Sequence, residues 1–504
     1  MTDSPKDKTN GSSWEERLDK DLVRGVPGKV GGVVDSAWLD QAELTGSKWR
    51  YRDDLAAAVS AILLGYRGDR AVGSRDDRHV LTVAGSRAGK GVSLIVPNLL
   101  LYDGSVLSID PKGELAATTA RTRRQKGQKV VILDPFDASG TASTDSFNPL
   151  DMLDATSESV IDDAGVIADA LIIGSEREPH FTDTARILVK SIILYVLTLP
   201  KEDRHLVTVY RLLTGSDRRI LDIAERTEGR VRGSAALFAL MSTCRGHFDN
   251  AVAGMGENFA QMADRELAGV LSTARTQLEF LASKRMERVL QSSNFALSEL
   301  KTGKATLYLC LPAMNMGTHS RWLRVIINLA LVAFERVRKK PDIPVLMMLD
   351  EFPTLGAMKS IETAAGLMAG FGVKLFVVVQ DMSQLTRLYR DSWETFVANA
   401  GVMAFWSNTD KRTLDYLSDK LGQTAVVVEQ TNETTLSQRF AGSTGRREEL
   451  RVQRLAAPNE LEKLLDRDKR RVLILVAGQS PVILQRVLYF QDKPFAGMFD
   501  AWSS

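Results

Sequence analysis

The sequence predicts an α/β fold, a parallel sheet with crossover helices interrupted by an all-helical insertion. Three observations carry this reading. Short aliphatic or β-branched runs alternate with helical stretches between His79 and Asp134, the grammar of strand–helix–strand units. Between about Asp151 and Leu300 strand-like runs become rare, and helical spacing dominates, as in Ala185, Leu188, Val189, Ile192, Ile193, Val196 and Leu197. Strand-like runs then return at Ala305 and continue to Val476.

Taken in order, Met1–Ser13 is polar and lacks the apolar core of a signal peptide, so residues 1–60 are expected to form a leader and a helical segment. The apolar runs Leu55–Gly65, Ile187–Leu199 and Val325–Phe334 fall short of the about 20 residues a spanning helix needs, and each reads as a buried helix. His79–Ala84 (HVLTVA), Ser105–Asp110 (SVLSID) and Lys129–Asp134 (KVVILD) are strand candidates, with the amphipathic Gly113–Lys126 between the last two. They make residues 61–150 the first part of a nucleotide-binding domain. Residues 151–300 form the all-helical domain. Residues 301–504 resume the first domain through Ala305–Leu311, Pro344–Leu349, Val373–Val379, Gly401–Trp406 and Arg471–Val476. The Thr-, Ser-, Gly- and Arg-rich stretch Gln430–Glu449 reads as a mobile loop.

Composition bounds the function. At 504 residues the chain exceeds one ordinary core, and 44% hydrophobic with 25% charged residues excludes disorder, collagen-like repeats and a membrane bundle. Lys+Arg 65 against Asp+Glu 63 leaves a net charge of +2, so nucleic-acid contact would need local patches or a pore. The clusters around Arg121–Lys126, Arg336–Lys340 and Lys469–Arg471 are candidates for phosphate contact, although such runs are more often solvated helix faces. Two cysteines, Cys244 and Cys310, make no disulfide framework and suit a reducing compartment, so the expected location is the cytoplasm.

The chemistry begins at Ala84. A glycine-rich turn, Gly85-Ser86-Arg87-Ala88-Gly89-Lys90-Gly91 leading into Val92, joins a strand to a helix. Such a loop presents backbone N–H groups and a helix N-terminus to an anion, and Lys90 adds a charge for nucleotide phosphates. The match to the phosphate-loop pattern departs twice: Ala84 occupies the first glycine position, and Gly91 the position of the Mg²⁺-binding hydroxyl. Alone it serves equally as a structural turn. Val345–Leu349 then ends in Asp350-Glu351, and a carboxylate pair at the end of a buried strand is costly unless it works on a cation or a water. Asp350 would hold Mg²⁺ and Glu351 polarise the attacking water. Gln380, at the tip of Val377-Val378-Val379, is placed to sense the γ-phosphate. Together these residues read as a nucleoside-triphosphate motor.

The segment Ala84–Leu100 resembles the phosphate loop of the TraG-type coupling ATPases of conjugation and type IV secretion. Asp110-Pro111-Lys112-Gly113-Glu114, Asp134-Pro135, Phe147-Asn148-Pro149-Leu150, Leu349-Asp350-Glu351-Phe352 and Val379-Gln380-Asp381 are similar to further motifs of that family, as is the Leu461–Tyr489 region. The resemblance covers roughly residues 60–495. It implies a RecA/FtsK-like P-loop NTPase domain, ATP and Mg²⁺ as cofactors, and a homo-hexameric ring with nucleotide between subunits. The cargo it implies is single-stranded DNA bound without sequence preference, carrying a relaxase, or effector proteins, moved toward a membrane-bound secretion-channel component. Lys90, Asp350, Glu351 and Gln380 take the matching roles, Gly91 becomes a family trait, and Ser93 is the candidate hydroxyl for Mg²⁺.

Two departures shape the expectations. Members usually carry transmembrane helices before the motor, whereas residues 1–83 contain no spanning segment. The expectation is a soluble member, monomeric when free and recruited by a partner to the inner face of the membrane, or one whose anchor was removed. The segment Glu362–Gln380 contains no arginine for a trans finger, leaving Arg412 as the substitute candidate. An FtsK/HerA-like DNA translocase or helicase, and an adaptor that binds nucleotide only to assemble, stand as alternative functions. The large helical insertion disfavours the first and the Asp350-Glu351 pair the second.

Overall fold

The computed structural model describes residues 36–39, 44, 49, 51, 59–175, 177–431 and 446–502. The expected leader, most of the 1–60 segment and residues 432–445 lie outside them. The strands among the described residues are β1 (Ile62–Arg67), β2 (Arg70–Ser74), β3 (His79–Ala84), β4 (Val106–Asp110), β5 (Lys129–Leu133), β6 (Ala305–Cys310) and β7 (Val345–Leu349). They continue with β8 (Val373–Val379), β9 (Ala400–Trp406), β10 (Gln423–Thr431), β11 (Arg446–Arg454), β12 (Arg471–Val476) and β13 (Val482–Gln485).

The chain packs into two compact units, residues 1–102 with 378–496 and residues 103–377 with 497–504. In the first unit the strand order is β2-β1-β13-β12-β9-β3; β3 and β9 run parallel, and the remaining pairings are antiparallel. In the second the order is β8-β7-β4-β6-β5, parallel throughout. Every residue of β3, β4, β6, β7, β8 and β9 is buried, as expected of parallel strands covered on both faces.

The eight strand candidates all form strands, within a residue of the expected bounds. In the part of the expected Leu55–Gly65 helix that is described, residues 62–65 belong instead to a strand, Ile62–Arg67, that turns at Gly68 onto β2. Its backbone is satisfied at long range. Asn98 Oδ1 accepts from Leu63 N at 2.8 Å, and Asn98 Nδ2 donates to Leu63 O at 3.0 Å. A buried apolar run has no period that could announce this. Parts of the expected Gln430–Glu449 loop are also strand, since β10 and β11 pair as an antiparallel ribbon.

No strand interrupts residues 134–304 among those described. The insertion helix Val160–Leu171 packs on Pro179–Leu197 and on the long helix Ala313–Arg336, which follows β6. The loops at the ends of β4 and β5 interlock. Asp134 accepts hydrogen bonds from Ala138 N, Ser139 N and Ser139 Oγ, and the resulting turn lies against Gly113. Gly113 is left-handed, φ +72°, and a β-carbon there would come 2.3 Å from Ser139 N.

Gly113→Ala should therefore destabilise the fold well beyond the about 1 kcal/mol expected of a left-handed alanine alone. Gly127→Ala is the control, left-handed at φ +75° with nothing within 4 Å of the added carbon. Urea denaturation of both variants checks this; equal losses would mean that the Gly113 turn yields freely.

Candidate functional site

In the first unit, β3 delivers the chain to Gly85. A β-carbon at Gly85 would lie 2.3 Å from Ser407 O, so no side chain fits between the two strand ends. Ala88 N closes the turn on Gly85 O at 3.2 Å. Arg87 (φ 55°) and Gly89 (φ +76°) are both left-handed, the curvature from which anion-binding backbone nests are made. Helical backbone starts at Lys90 and runs through Gly91–Ile95 into Val96–Leu101, with no acidic side chain in the first turn to repel an anion. Ser86 and Arg87 are exposed, Lys90, Gly91 and Val92 half-buried.

The loop is pinned from beneath. The Ala88 carbonyl accepts from Trp406 Nε1 at 2.8 Å and from Arg486 Nη1 at 2.7 Å, while Arg486 Nη2 donates to Arg467 O at 2.7 Å. Burial, with Arg470 and Arg467 nearby, holds the Arg486 guanidinium below the usual arginine range. Sequence reading missed Arg486 and Trp406 as loop supports, because nothing local marks contacts 398 and 318 positions away. Ser93 is buried, its Oγ has no hydrogen-bond partner among the described residues, and it lies 3.9 Å from where a Gly89 β-carbon would sit. Nothing lies within 4 Å of a β-carbon built at Gly91, so the missing hydroxyl there is no steric requirement.

Gln380 is half-buried beyond β8, and its backbone N–H donates to Gln384 Oε1. Asp381 caps the helix Met382–Tyr389 by accepting from Gln384 N. Arg412 is exposed at the start of the helix Lys411–Leu421, where Asp410 accepts from Thr413 N.

In the second unit, β7 ends in the half-buried pair Asp350-Glu351. Asp350 Oδ1 accepts from Glu351 N at 3.0 Å, and Glu351 is left-handed at φ 51° and ψ 38°. A non-glycine residue so held stores strain, a mark of functional positions. Asp110 ends the neighbouring strand β4. It accepts from Lys112 N and Ala116 N, with Cys310 Sγ 3.8 Å away. Burial pushes its carboxyl up to about 7, the Asp350 charge acting in the same direction and the backbone N–H groups opposing.

The basic clusters are largely structural. Arg123 is buried and donates to Thr306 Oγ1 and Gly104 O; Arg121 pairs with Asp500, Arg336 with Asp163, and Arg470 with Asp492. Arg124, Arg338, Lys339, Lys340 and Lys469 remain exposed. Both cysteines are free. Among the described residues no helix is long and apolar enough to cross a membrane.

A lysine-bearing glycine loop between a buried strand and a helix, in a chain whose parallel strands end in carboxylates, is the arrangement of an α/β protein with a P-loop nucleotide-binding fold. The chain belongs to the family described as type IV secretory system conjugative DNA transfer, which it matches over residues 37–500. It is similar to the conjugal transfer protein TraG of Escherichia coli, 29% identical over 453 residues that cover 83% of this chain and 68% of that protein. It is also similar to VirD4 of Rhizobium radiobacter, 27% identical over 427 residues, 84% of this chain and 58% of that protein. Among solved structures it resembles the unbound bacterial conjugative coupling protein TrwBΔN70, with TM-score 0.63, 15% identity and coverage of 93% of this chain and 96% of that one. TrwB in complex with ADP and Mg²⁺ matches with TM-score 0.58 at 15% identity over 82% of this chain and 85% of that one. That likeness shows a shared α/β fold built on a large, mostly parallel sheet.

Asp110 yields a pH prediction. Its folded-state value of about 7 lies above the ordinary 3.8, so its protonated form favours folding. That contribution is complete below about pH 4 and is lost as pH rises through about 7. Asp110→Asn should flatten this part of the stability profile in thermal melts; an unchanged slope would mean Asp110 folds ionised.

Proposed function

We propose that the chain is the ATP-hydrolysing part of a coupling protein that recruits DNA with its bound relaxase, or protein substrates, and drives them toward a type IV secretion channel. The observation that carries this reading is the loop Gly85–Val92, curved by two left-handed residues, pinned through Ala88 and leading into a helix at Lys90, in a chain of this family. The residues suit a nucleoside triphosphate: Gly85, Ser86, Arg87, Ala88, Gly89, Lys90, Gly91 and Val92 would surround the phosphates, with Lys90 supplying fixed charge. Among the described residues no group of three or more His, Cys, Asp or Glu side chains could hold a metal alone. Asp350 would hold Mg²⁺ beside the nucleotide, with the Ser93 hydroxyl as a further candidate. Magnesium would neutralise charge on the phosphates.

In this reading Glu351 takes a proton from the attacking water and Gln380 orients that water. Arg412, exposed and on a helix start, is the arginine for a neighbouring subunit of a hexamer, the chain being monomeric when free. A ring would bring the same exposed basic groups from each subunit onto a single strand, so DNA would be gripped through phosphates without sequence preference. A membrane-bound channel component would then fix the ring's place on the inner face of the membrane.

Lys90→Ala should weaken ATP binding by about tenfold or more, the scale of a lost hydrogen bond to a charged group. Glu351→Gln should keep ATP affinity and lose about 10²–10⁴ in kcat, since general-base action contributes in the transition state. Fluorescent-nucleotide titration and phosphate release measure both; lost affinity in Glu351→Gln would assign it a structural role. ATPase rate per subunit should rise with protein concentration and single-stranded DNA, and fall steeply with salt. A rate indifferent to all three would favour an adaptor over a DNA motor.

A further inference from the structure

Arg324 lies on the helix Ala313–Arg336 and is only 6% exposed. Its guanidinium joins three places within the second unit. Nη1 donates to Leu355 O at 2.7 Å and to Ala357 O at 3.1 Å, and Nε donates to Ala170 O at 3.1 Å. Leu355 and Ala357 close the turn that opens at Glu351. Inside that turn Thr354 N and Oγ1 both donate to Glu351 O, Gly356 N donates to Pro353 O, and Phe352 and Leu355 are buried. One end of the turn is thus the strained Glu351 backbone, and the other is gripped by a rigid planar fork. One helical turn further, Asn328 Oδ1 accepts from Ser360 Oγ at 2.6 Å, fastening the helix Lys359–Leu367 that follows.

Ala170 is the penultimate residue of Val160–Leu171, the first helix of the insertion. The last carbonyls of a helix lack helical donors, and a cation there is favoured by the helix dipole. The same guanidinium therefore completes the end of an insertion helix and holds the acidic turn. A fork with fixed angles cannot follow one of these partners without releasing or dragging the other.

We propose that Arg324 is a positioning residue for the Glu351 carboxylate, and the link through which the helical insertion sets the rate of ATP hydrolysis. A partner that shifts the insertion helix moves Ala170 O, and with it the turn that aims Glu351. The proposal rests on Glu351 being the group that activates water, as argued above.

The test uses Arg324→Met and Arg324→Lys in the full chain. Three quantities are read: affinity for a fluorescent ATP analogue, kcat with and without single-stranded DNA, and amide exchange of residues 351–357 and 160–172. In Arg324→Met the expected result is nucleotide affinity within threefold of the parent and kcat lower by ten- to a hundredfold. Stimulation by DNA should be lost, and exchange should rise in both segments together while the 85–92 loop stays unchanged. Arg324→Lys, which keeps the charge and reaches fewer carbonyls, should recover part of kcat and supplies the measurement if the methionine variant does not fold. Unchanged kcat, or faster exchange in only one of the two segments, would overturn the proposal. So would uniform loosening of the whole chain with affinity and kcat falling together, which marks a merely structural arginine. If the parent protein hydrolyses no ATP, the functional reading fails by itself, and the exchange data still decide whether the two segments are joined.

Discussion

Strands buried on both faces leave polar side chains almost nowhere to go except the strand ends, and this constraint organises the molecule. β7 is wholly apolar, and β3, β4 and β8 carry few polar side chains inside them (Thr82, Ser108 and Lys374), so the phosphate loop, Asp110, Asp350 and Gln380 all appear where a strand runs out. Parallel pairing then decides which ends are neighbours. β4 and β7 pair from Val106 opposite Leu346, which brings Asp110 and Asp350 to one edge. Burial is what chiefly raises the Asp110 carboxyl there, and the Asp350 charge adds to it in a smaller measure. β3 and β9 pair up to Ala84 opposite Trp406, which sets Gly85 against Ser407 and lets the indole reach Ala88.

Backbone strain collects at the same places. Arg87, Glu351 and Ser407 are non-glycine residues held left-handed at strand ends or in the phosphate loop. Each needs outside restraint to persist. For the phosphate loop that restraint comes from Trp406 and Arg486 through a single carbonyl, and for the acidic turn from Arg324 through two. Buried arginines thus act here chiefly as rigid multi-point donors to carbonyl groups. Arg123, whose place in a basic run suggests a phosphate contact, is likewise wholly inside and donates to the Thr306 hydroxyl and the Gly104 carbonyl. With net charge only +2 and several basic residues consumed in this way, contact with DNA phosphates falls to the exposed remainder.

The helical insertion is integrated with the strands around it. Val160–Leu171 packs on Ala313–Arg336, and Arg336 pairs with Asp163 beside that contact. An insertion bound this closely to the helix carrying Arg324 is placed to pass a displacement toward the acidic turn, whereas one hung on a flexible linker would not be.

By itself the sequence determined what is local or periodic. The strand–loop–helix at 79–101, the acidic strand end at 350–351, the return of strands after residue 304 and the helical run between them are all legible from side-chain order, because glycine turns, apolar runs and a 3.6 period are properties of neighbours along the chain. Lys90, Asp350, Glu351 and Gln380, the residues proposed for the site, are read from the same local signals. Tertiary structure alone decided that residues 62–67 form a strand, since that edge is completed by Asn98 and β13. It alone turned part of the Gln430–Glu449 stretch into a paired ribbon, where cross-strand hydrogen bonding overrides a composition that reads as loop. And it alone chose Arg486 and Arg324 from 65 cationic side chains as the ones that hold a phosphate loop and an acidic turn, because a guanidinium's partners are fixed by where distant carbonyls arrive in space and leave no mark in the residues beside it.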